Sequence, residues 1–355
     1  MSAKILAINP GSTSTKIAVY EGEHPVMVRN ITHPVEELKQ FKKVTDQLPF
    51  RRDLVIQELE KMNIPFQFDI IIGRGGLSKP VRGGVYRVNE QMCQDTYHAI
   101  RTHACNLGCS IAFELAARIP DCIPMIADPG MVDELSDLAR ITGSPLMPRI
   151  PIWHALNQRA IARRFAREQG TRYEDLNLII CHMGGGISIA GHQKGNAVDA
   201  NNALDGEGPF SPERAGTLPA SDLIHLCFSG KYTKEELLKR VAGQGGLVAH
   251  LGTNDVKGMV EQAKQGDEKV KLLLDAMIYQ TARSIAAQGA VLCGDVDAIL
   301  ITGGMAYSEY LISNLKERIE WIAPVHIFPG EDEMEALAMN ALGVWRGELE
   351  MQVYE

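Results

Sequence analysis

Residues 4–23 read KILAINPGSTSTKIAVYEGE: an apolar run, the turn Asn9-Pro10-Gly11, four successive hydroxyl residues, Lys16, and a second apolar run. The spacing predicts strands over 4–8 and 15–20, a turn at Glu21-Gly22-Glu23 and a third strand over 25–31. Pro10-Gly11 alone satisfies a type II turn. Ser12, Thr13, Ser14 and Thr15 therefore either hold something or are merely wetted, and one loop leaves both readings open.

A second copy of the pattern decides more. Residues 176–200, LNLIICHMGGGISIAGHQKGNAVDA, predict strands over 176–182, 187–192 and 197–201, with a triple-glycine turn first and an ordinary hairpin at Lys194-Gly195-Asn196 second. Downstream the match continues: FDIIIGRGG at 68–76 against VDAILITGG at 296–304, then CIPMIADPG at 122–130 against VHIFPG at 325–330. Helical stretches over about 90–118 and 307–320 separate them. Three pairings in one order are a duplication, and a repeat of this length fixes the architecture. Each half is βββ-α-β-α-β-α in outline. The expectation is two α/β domains with mixed sheets facing a cleft, over 1–150 and 151–355. The boundary is expected near 145–155, where GSPLMPRIPIW carries three prolines. Arg159, Arg163, Arg164 and Arg167 are expected to form a solvated face of a helix starting near Ala155. The last helix, over about 333–347, closes the second half or crosses back to the first.

The bulk numbers agree with a globular protein: 355 residues, 45% hydrophobic, 23% charged, 33 glycines. A net charge of -8 argues against nucleic acid or a membrane surface as partner, since both call for a basic footprint. The seven cysteines are odd in number and lack C-x-x-C spacing, so buried reduced thiols in a cytoplasmic protein are expected. Met-Ser-Ala-Lys runs straight into a strand, and neither a leader nor a membrane span is expected.

Glycine-rich turns expose backbone N–H groups that cradle anions, and hydroxyls add donors. Either meander turn alone reads as a plain hairpin. As a matched pair, Ser12, Ser14 and Lys16 on one side and Gly184, Gly185 and Gly186 on the other read as a polyphosphate grip. No G-x-x-x-x-G-K-[ST] occurs, because Gly230-Lys231 is followed by Tyr232, and no strand-G-x-G-x-x-G-helix unit appears. His182 ends a buried strand beside the glycines, where it either donates to a phosphate oxygen or bonds a core carbonyl. Arg214, in SPERAG, reads equally as a loop arginine paired with Glu213. Asp128, in IADPG, lies at the C-terminal edge of a central strand, where open α/β sheets bind ligands.

Taken together, NPGSTSTK, GRGGL, THACNLG, CHMGGG, DGEGPFSPERAG, LGTNDVKG, LITGGMAYS and GEDEMEALA resemble the acetate and butyrate kinase family in order and over essentially the whole chain. The resemblance implies two ribonuclease H-like, actin-like ATPase domains and transfer of the γ-phosphoryl of ATP to a short-chain carboxylate, giving an acyl phosphate and ADP. It favours butyrate or a branched acid such as isobutyrate. Acetate or propionate remains open, as do an actin-like or heat-shock-like ATPase and a sugar or glycerol kinase.

By the same resemblance Arg214 is the transition-state cation, with His182 and Asp128 in the catalytic group. Arg74 and His103 lie at the substrate end, although acetate kinases carry their arginine further before the glycine pair. Asn9, with the two turns, meets the phosphates, while Asp255, Gly303, Gly304 and Met305 meet adenosine; capping a helix N-terminus is the other reading of Asp255. Glu333, with Asp128, takes Mg2+; an acidic first turn of a helix is the other reading of Glu331, Asp332 and Glu333. The resemblance also implies a cytoplasmic homodimer or larger homo-oligomer.

Overall fold

The computed structural model describes residues 2–99, 101 and 103–355, Val35 by its backbone alone. Ile100 and Thr102, the latter opening the motif THACNLG, lie outside the described residues. The chain forms two compact units, one of residues 1–132 and 332–355, the other of residues 133–331.

In the first unit β1 (Lys4–Pro10), β2 (Ser14–Glu21), β3 (His24–Thr32), β4 (Ile70–Arg74), β5 (Val85–Arg87), β6 (Ile123–Ala127) and β12 (Met351–Val353) form one sheet. Its order is β12-β5-β6-β4-β1-β2-β3. The second unit holds β7 (Asn177–Met183), β8 (Ile187–Gln193), β9 (Asn196–Ala200), β10 (Ala298–Gly303) and β11 (Val325–Pro329), ordered β11-β10-β7-β8-β9. Five contiguous strands of the first sheet, β6-β4-β1-β2-β3, repeat the second: an antiparallel meander, then two parallel strands beyond its first member.

The copies agree in detail. The innermost pairs of the two first hairpins are Pro10–Thr15 and Met183–Ile187, which puts Asn9 and His182 at equivalent positions. Each second hairpin carries a bulge at the equivalent step, Val19/Tyr20 and Gly191/His192. A bulge is a backbone feature that sequence similarity did not reveal, so it supports the duplication independently.

The central strands are apolar because both faces are covered. All seven residues of β7 and all six of β10 are buried. One face of the second sheet is covered by the helix Glu268–Val291, whose Val270, Leu274, Met277, Ile278, Ala282 and Ile285 recur at helical spacing in the core. Asp267 caps that helix through the Lys269 and Val270 amides.

The stretch expected to be helical over 90–118 contains the helix Glu90–Tyr97, a single 3-10 turn at Ala104–Asn106 and the helix Leu107–Ala116. At the start of the second helix the Asn106 side-chain carbonyl oxygen accepts the Leu77 amide at 2.9 Å, and its NH2 group donates to Arg101 O at 3.0 Å. The following helix then rests on β4, where a Cβ on Gly73 would lie 2.1 Å from the Gly108 carbonyl oxygen.

The segment expected to end the first half packs instead with the second unit. Arg140 pairs with Asp133 at 2.7 Å, the Ser136 amide donates to Val198 O at 2.9 Å, and Arg149 bridges Asp199 and Glu207. Compactness therefore divides the chain after Val132, ahead of the proline cluster. The closing helix, Glu333–Trp345, packs on β1 in the first unit, and β12 extends that sheet.

Arg159 is not on a solvated face. It is buried and donates to Glu134 at 3.0 Å, whereas Arg164 and Arg167 are exposed. The seven thiols are free, but Cys227 and Cys293 are exposed, so the expectation of burial holds for only part of the set. Among the described residues no helix is long and apolar enough to cross a membrane.

Candidate active site

In the first unit the β1–β2 turn is pinned from beneath. Gly11 N donates to Ser14 O at 2.8 Å, closing the turn. Ser14 and Lys16 share one face of β2, with Asn9 opposite Lys16 in register; Thr15 points to the other face and is fully buried. On that other face lies Arg51, also fully buried, from the helix Leu48–Lys61.

Its Nη1 donates to Gly11 O at 2.8 Å, Ser14 O at 2.9 Å and Thr15 Oγ1 at 3.1 Å, while Nη2 reaches Ser12 O at 3.2 Å. Nε donates to Gln47 Oε1 at 3.0 Å. Sequence reading missed this residue. The available signal was its phase with Val55 and Leu59, which places an arginine on the buried stripe of the helix.

Beside the turn, the Asn9 amide donates to Glu333 Oε2, and Arg74 Nη1 meets Glu333 Oε1 at 2.9 Å and Oε2 at 3.1 Å. Asn9 Oδ1 is buried with no donor. Glu333, expected as a metal ligand, is thus buried within a pair with Arg74, the expected substrate clamp.

The GRGGL loop sits against ACNLG. A Cβ on Gly76 would be 2.6 Å from Asn106 Cα, and one on Gly108 would be 2.1 Å from Arg74 O. His103 caps the 3-10 turn by accepting the Cys105 amide at 3.2 Å. Burial pushes the Cys105 thiol up to about 11; Arg74 opposes that rise and Glu333 adds to it, so Cys105 lies within electrostatic reach of both. Asp128 is buried at the end of β6 with φ +38. Its Oδ1 accepts Gly84 N at 2.8 Å, and its own N donates to Gly84 O at 2.9 Å.

In the second unit the β7–β8 turn closes like the first, with Gly184 N donating to Gly186 O at 3.0 Å. The Gly184 amide is therefore spent inside the turn, and Gly185 and Gly186 carry the remaining amides. Gly186 has room for no side chain while Arg214 keeps its place, because a Cβ there would lie 2.2 Å from Arg214 Nη1. Arg214 is held across the turn by Nη1 donating to Ala203 O at 2.8 Å. Glu213 Oε1 accepts Asn254 Nδ2 at 2.5 Å.

His182 is fully buried, stacked on His154 with ring centroids 3.8 Å apart. Its Nδ1 lies 2.8 Å from Asn157 Oδ1, and Nε2 is 3.0 Å from Glu331 Oε1. That second contact is close but poorly aligned as a hydrogen bond, since Nε2 has no partner of good geometry. Asn157 and His154 were also missed from sequence; a buried asparagine beside Ile161 on an amphipathic helix was their only trace.

Next to this turn is a cavity of about 1000 Å³ within the second unit, lined by Gly184, Gly185, Asn254, Gly304, Met305 and Tyr307 among others. Gly303, with φ +95, allows the close turn that opens it, since a Cβ would be 2.4 Å from Met183 O. Asp255 caps the helix Val256–Lys264 through the Gly258 amide; its neighbours Asn254 and Val256 line the cavity.

Among the described residues no three His, Cys, Asp or Glu side chains cluster as a metal cage. The oxygen donors of Asp128 and Glu333 and the orphan Asn9 Oδ1 suit a hard cation that keeps mostly phosphate and water ligands.

Residues 153–318 match the acetokinase family model. The chain is 67% identical to the probable butyrate kinase of Bacteroides thetaiotaomicron over 99% of its length and all of the relative's. It is 53% identical to that of Phocaeicola vulgatus over 99% of both chains, and 47% identical to butyrate kinase 2 of Clostridium acetobutylicum over 100% of both. The fold is that of Porphyromonas gingivalis acetate kinase, at TM-score 0.77 and 16% identity over 97% of this chain and 100% of that one. Entamoeba histolytica acetate kinase gives TM-score 0.74 at 16% identity, over 95% and 98% of the two chains. With relatives this similar from end to end, the chain belongs to the acetokinase family.

Proposed function

We propose that the protein is an ATP-dependent butyrate kinase. The observation that carries this is the end-to-end identity of 67% to a relative of that name. One carboxylate oxygen of the acid forms a bond to the γ-phosphorus of ATP as the bond from that phosphorus to the β-bridging oxygen breaks. The products are butyryl phosphate and ADP, and the same path runs in reverse.

Such a transfer asks the protein for position and charge. Arg214, packed over Gly186 and tied to Ala203, is a preorganised cation for the equatorial oxygens. With Asn157 presenting its carbonyl oxygen, His182 donates from Nε2 only when the ring carries both protons. In the first unit Asn9, Ser12, Ser14 and Lys16 offer donors suited to phosphate oxygens, and in the second unit the Gly185 and Gly186 amides do. The 1000 Å³ cavity takes adenosine, with Gly304 and Met305 in its wall.

Arg74 offers a planar fork to the acid's carboxylate. Its Nη1 lies on both Glu333 carboxylate oxygens, so Glu333 sets its orientation. His103 stands in the adjoining loop. Mg2+ would be held by Asp128 and Glu333 with phosphate and water oxygens, neutralising phosphate charge. A cytoplasmic homodimer or larger homo-oligomer completes the proposal, resting on the free thiols and on the family resemblance.

The test is a kcat/KM series over acetate, propionate, butyrate, isobutyrate and glycerol. Each methylene is worth about 1–3 kcal/mol in an apolar pocket. Butyrate or isobutyrate should exceed acetate by at least about tenfold; a maximum at acetate or at glycerol would reject the assignment.

A further inference from the structure

Arg51 is a fully buried guanidinium beneath the β1–β2 turn. Among the described residues its five hydrogen bonds all go to neutral acceptors: the carbonyls of Gly11, Ser12 and Ser14, the Thr15 hydroxyl and the Gln47 amide oxygen. Burying a cation on neutral oxygens is costly, and a purely structural site would gain more from a carboxylate. Its neighbour Arg52 makes that usual choice, pairing with Glu114 at 2.7 Å and Asp53 at 2.8 Å. Burial pushes the Arg51 pKa down to about 10, which still leaves it charged at neutral pH.

The arrangement does two things. First, it turns the Gly11, Ser12 and Ser14 carbonyls inward, and a peptide whose C=O points one way presents its N–H the other way. Gly11 N closes the turn on Ser14 O, while the exposed Ser12 and Thr13 amides donate to no acceptor among the described residues. Second, the carbonyl dipoles that would repel an anion are occupied, and an uncompensated positive charge lies directly behind the amides. Thr15 links the device to His33, whose Nε2 is 2.8 Å from Thr15 Oγ1. Burial and the Arg51 charge push the His33 pKa down to about 4, so the imidazole adds no charge at neutral pH.

We infer that Arg51 is a positioning residue for nucleotide phosphate: it fixes the peptide orientation of residues 11–14 and supplies a buried charge to the turn. This rests on the reading of that turn as a phosphate site. It assigns a role to a residue that touches the turn's inner face and not the ligand.

The experiment compares wild type, Arg51→Met and Arg51→Lys, after thermal melts establish that the variants are folded. ATP affinity is read by calorimetry, with KM and kcat in steady state. Arg51→Met should raise Kd and KM for ATP and ADP by at least about tenfold, with KM for the acid changed less than about threefold. Arg51→Lys keeps the charge but not the fork and should fall between. Methylguanidine added to a folded Arg51→Ala protein should restore part of the ATP affinity.

A folded Arg51→Met protein with wild-type ATP affinity would overturn the inference, as would equal rises in KM for ATP and for the acid. If no substitution folds, hydrogen exchange on wild type decides. ATP should protect the peptide spanning residues 10–15, and unchanged exchange there would also overturn it. Wild type that binds no ATP at all is a different result, refuting the functional reading itself.

Discussion

Replacing Gly186 with alanine separates placement of Arg214 from the presence of Arg214. The backbone at Gly186 is not in the left-handed region, so an alanine is conformationally acceptable there. What it meets is the guanidinium: its Cβ would be 2.2 Å from Nη1, 2.5 Å from Cζ and 2.9 Å from Nε of Arg214. These contacts are impossible, but they are with the far end of a flexible side chain, so Arg214 moves and the turn stays.

The stability cost is then the charged hydrogen bond to Ala203 O, about 1.5–3 kcal/mol. About 0.4–1 kcal/mol of that is regained from the lower entropy of unfolded alanine. The melting temperature should fall by roughly 1–4 °C. Misplacing a catalytic group by about 1 Å costs about a hundredfold in rate, and losing an arginine at the transferring phosphoryl group costs about 10³–10⁵. The expected drop in kcat is therefore at least about a hundredfold, near 2.7 kcal/mol in the barrier.

Turnover is read by hydroxamate formation and ATP affinity by calorimetry, with Gly143→Ala as control because its Cβ would meet nothing within 4 Å. A Gly186→Ala enzyme with near-normal kcat would refute the assignment of Arg214. So would a loss of ATP affinity as large as the loss of kcat, since that would make the arginine a ground-state ligand.

Three further substitutions probe the first unit. Arg74→Ala strands the buried Glu333 carboxylate and should cost about 3–5 kcal/mol by urea unfolding, whereas Arg74→Met with Glu333→Gln should recover at least half; equal losses would mean the pair is not coupled. Gly73→Ala drives a methyl to 2.1 Å from the Gly108 carbonyl oxygen, backbone that cannot yield, and should cost more than about 4 kcal/mol; a near-normal melt would show that β4 and the helix Leu107–Ala116 are not so closely apposed. His33 resists protonation until about pH 4 when folded but gains a proton near 6.5 when unfolded, so its contribution is intact above pH 6.5 and is lost as pH falls to 4. The loss amounts to about 3 kcal/mol, and His33→Gln should flatten that part of the stability-pH curve; parallel curves for the two proteins would contradict it.

The duplication was legible because strands buried on both faces leave unbroken apolar runs, and because each turn between them needs glycine. The equivalent placement of Asn9 and His182 followed from the same registers. Arg51 was not legible as the residue beneath the β1–β2 turn, since most of its acceptors are backbone carbonyls about forty positions away and carbonyls have no signature in sequence.

Arg159 misled for a related reason. Its partner Glu134 lies 25 residues upstream, so helical phase alone placed a buried ion pair on the surface. The proline cluster over 143–153 marked a change of direction in the chain, but the ion pairs from Asp133 onward determine which unit that segment joins. The Arg74–Glu333 pair joins residues 259 positions apart, and motif matching assigned its two members to different ligands.

The most direct measurement is the stoichiometry of acyl phosphate formed to ATP consumed by the purified wild-type protein, trapped with hydroxylamine in the presence and absence of butyrate. The account predicts one hydroxamate per ATP when butyrate is present and negligible ATP loss without it. ATP turnover that proceeds without butyrate, or that leaves no trapped acyl group, would contradict it.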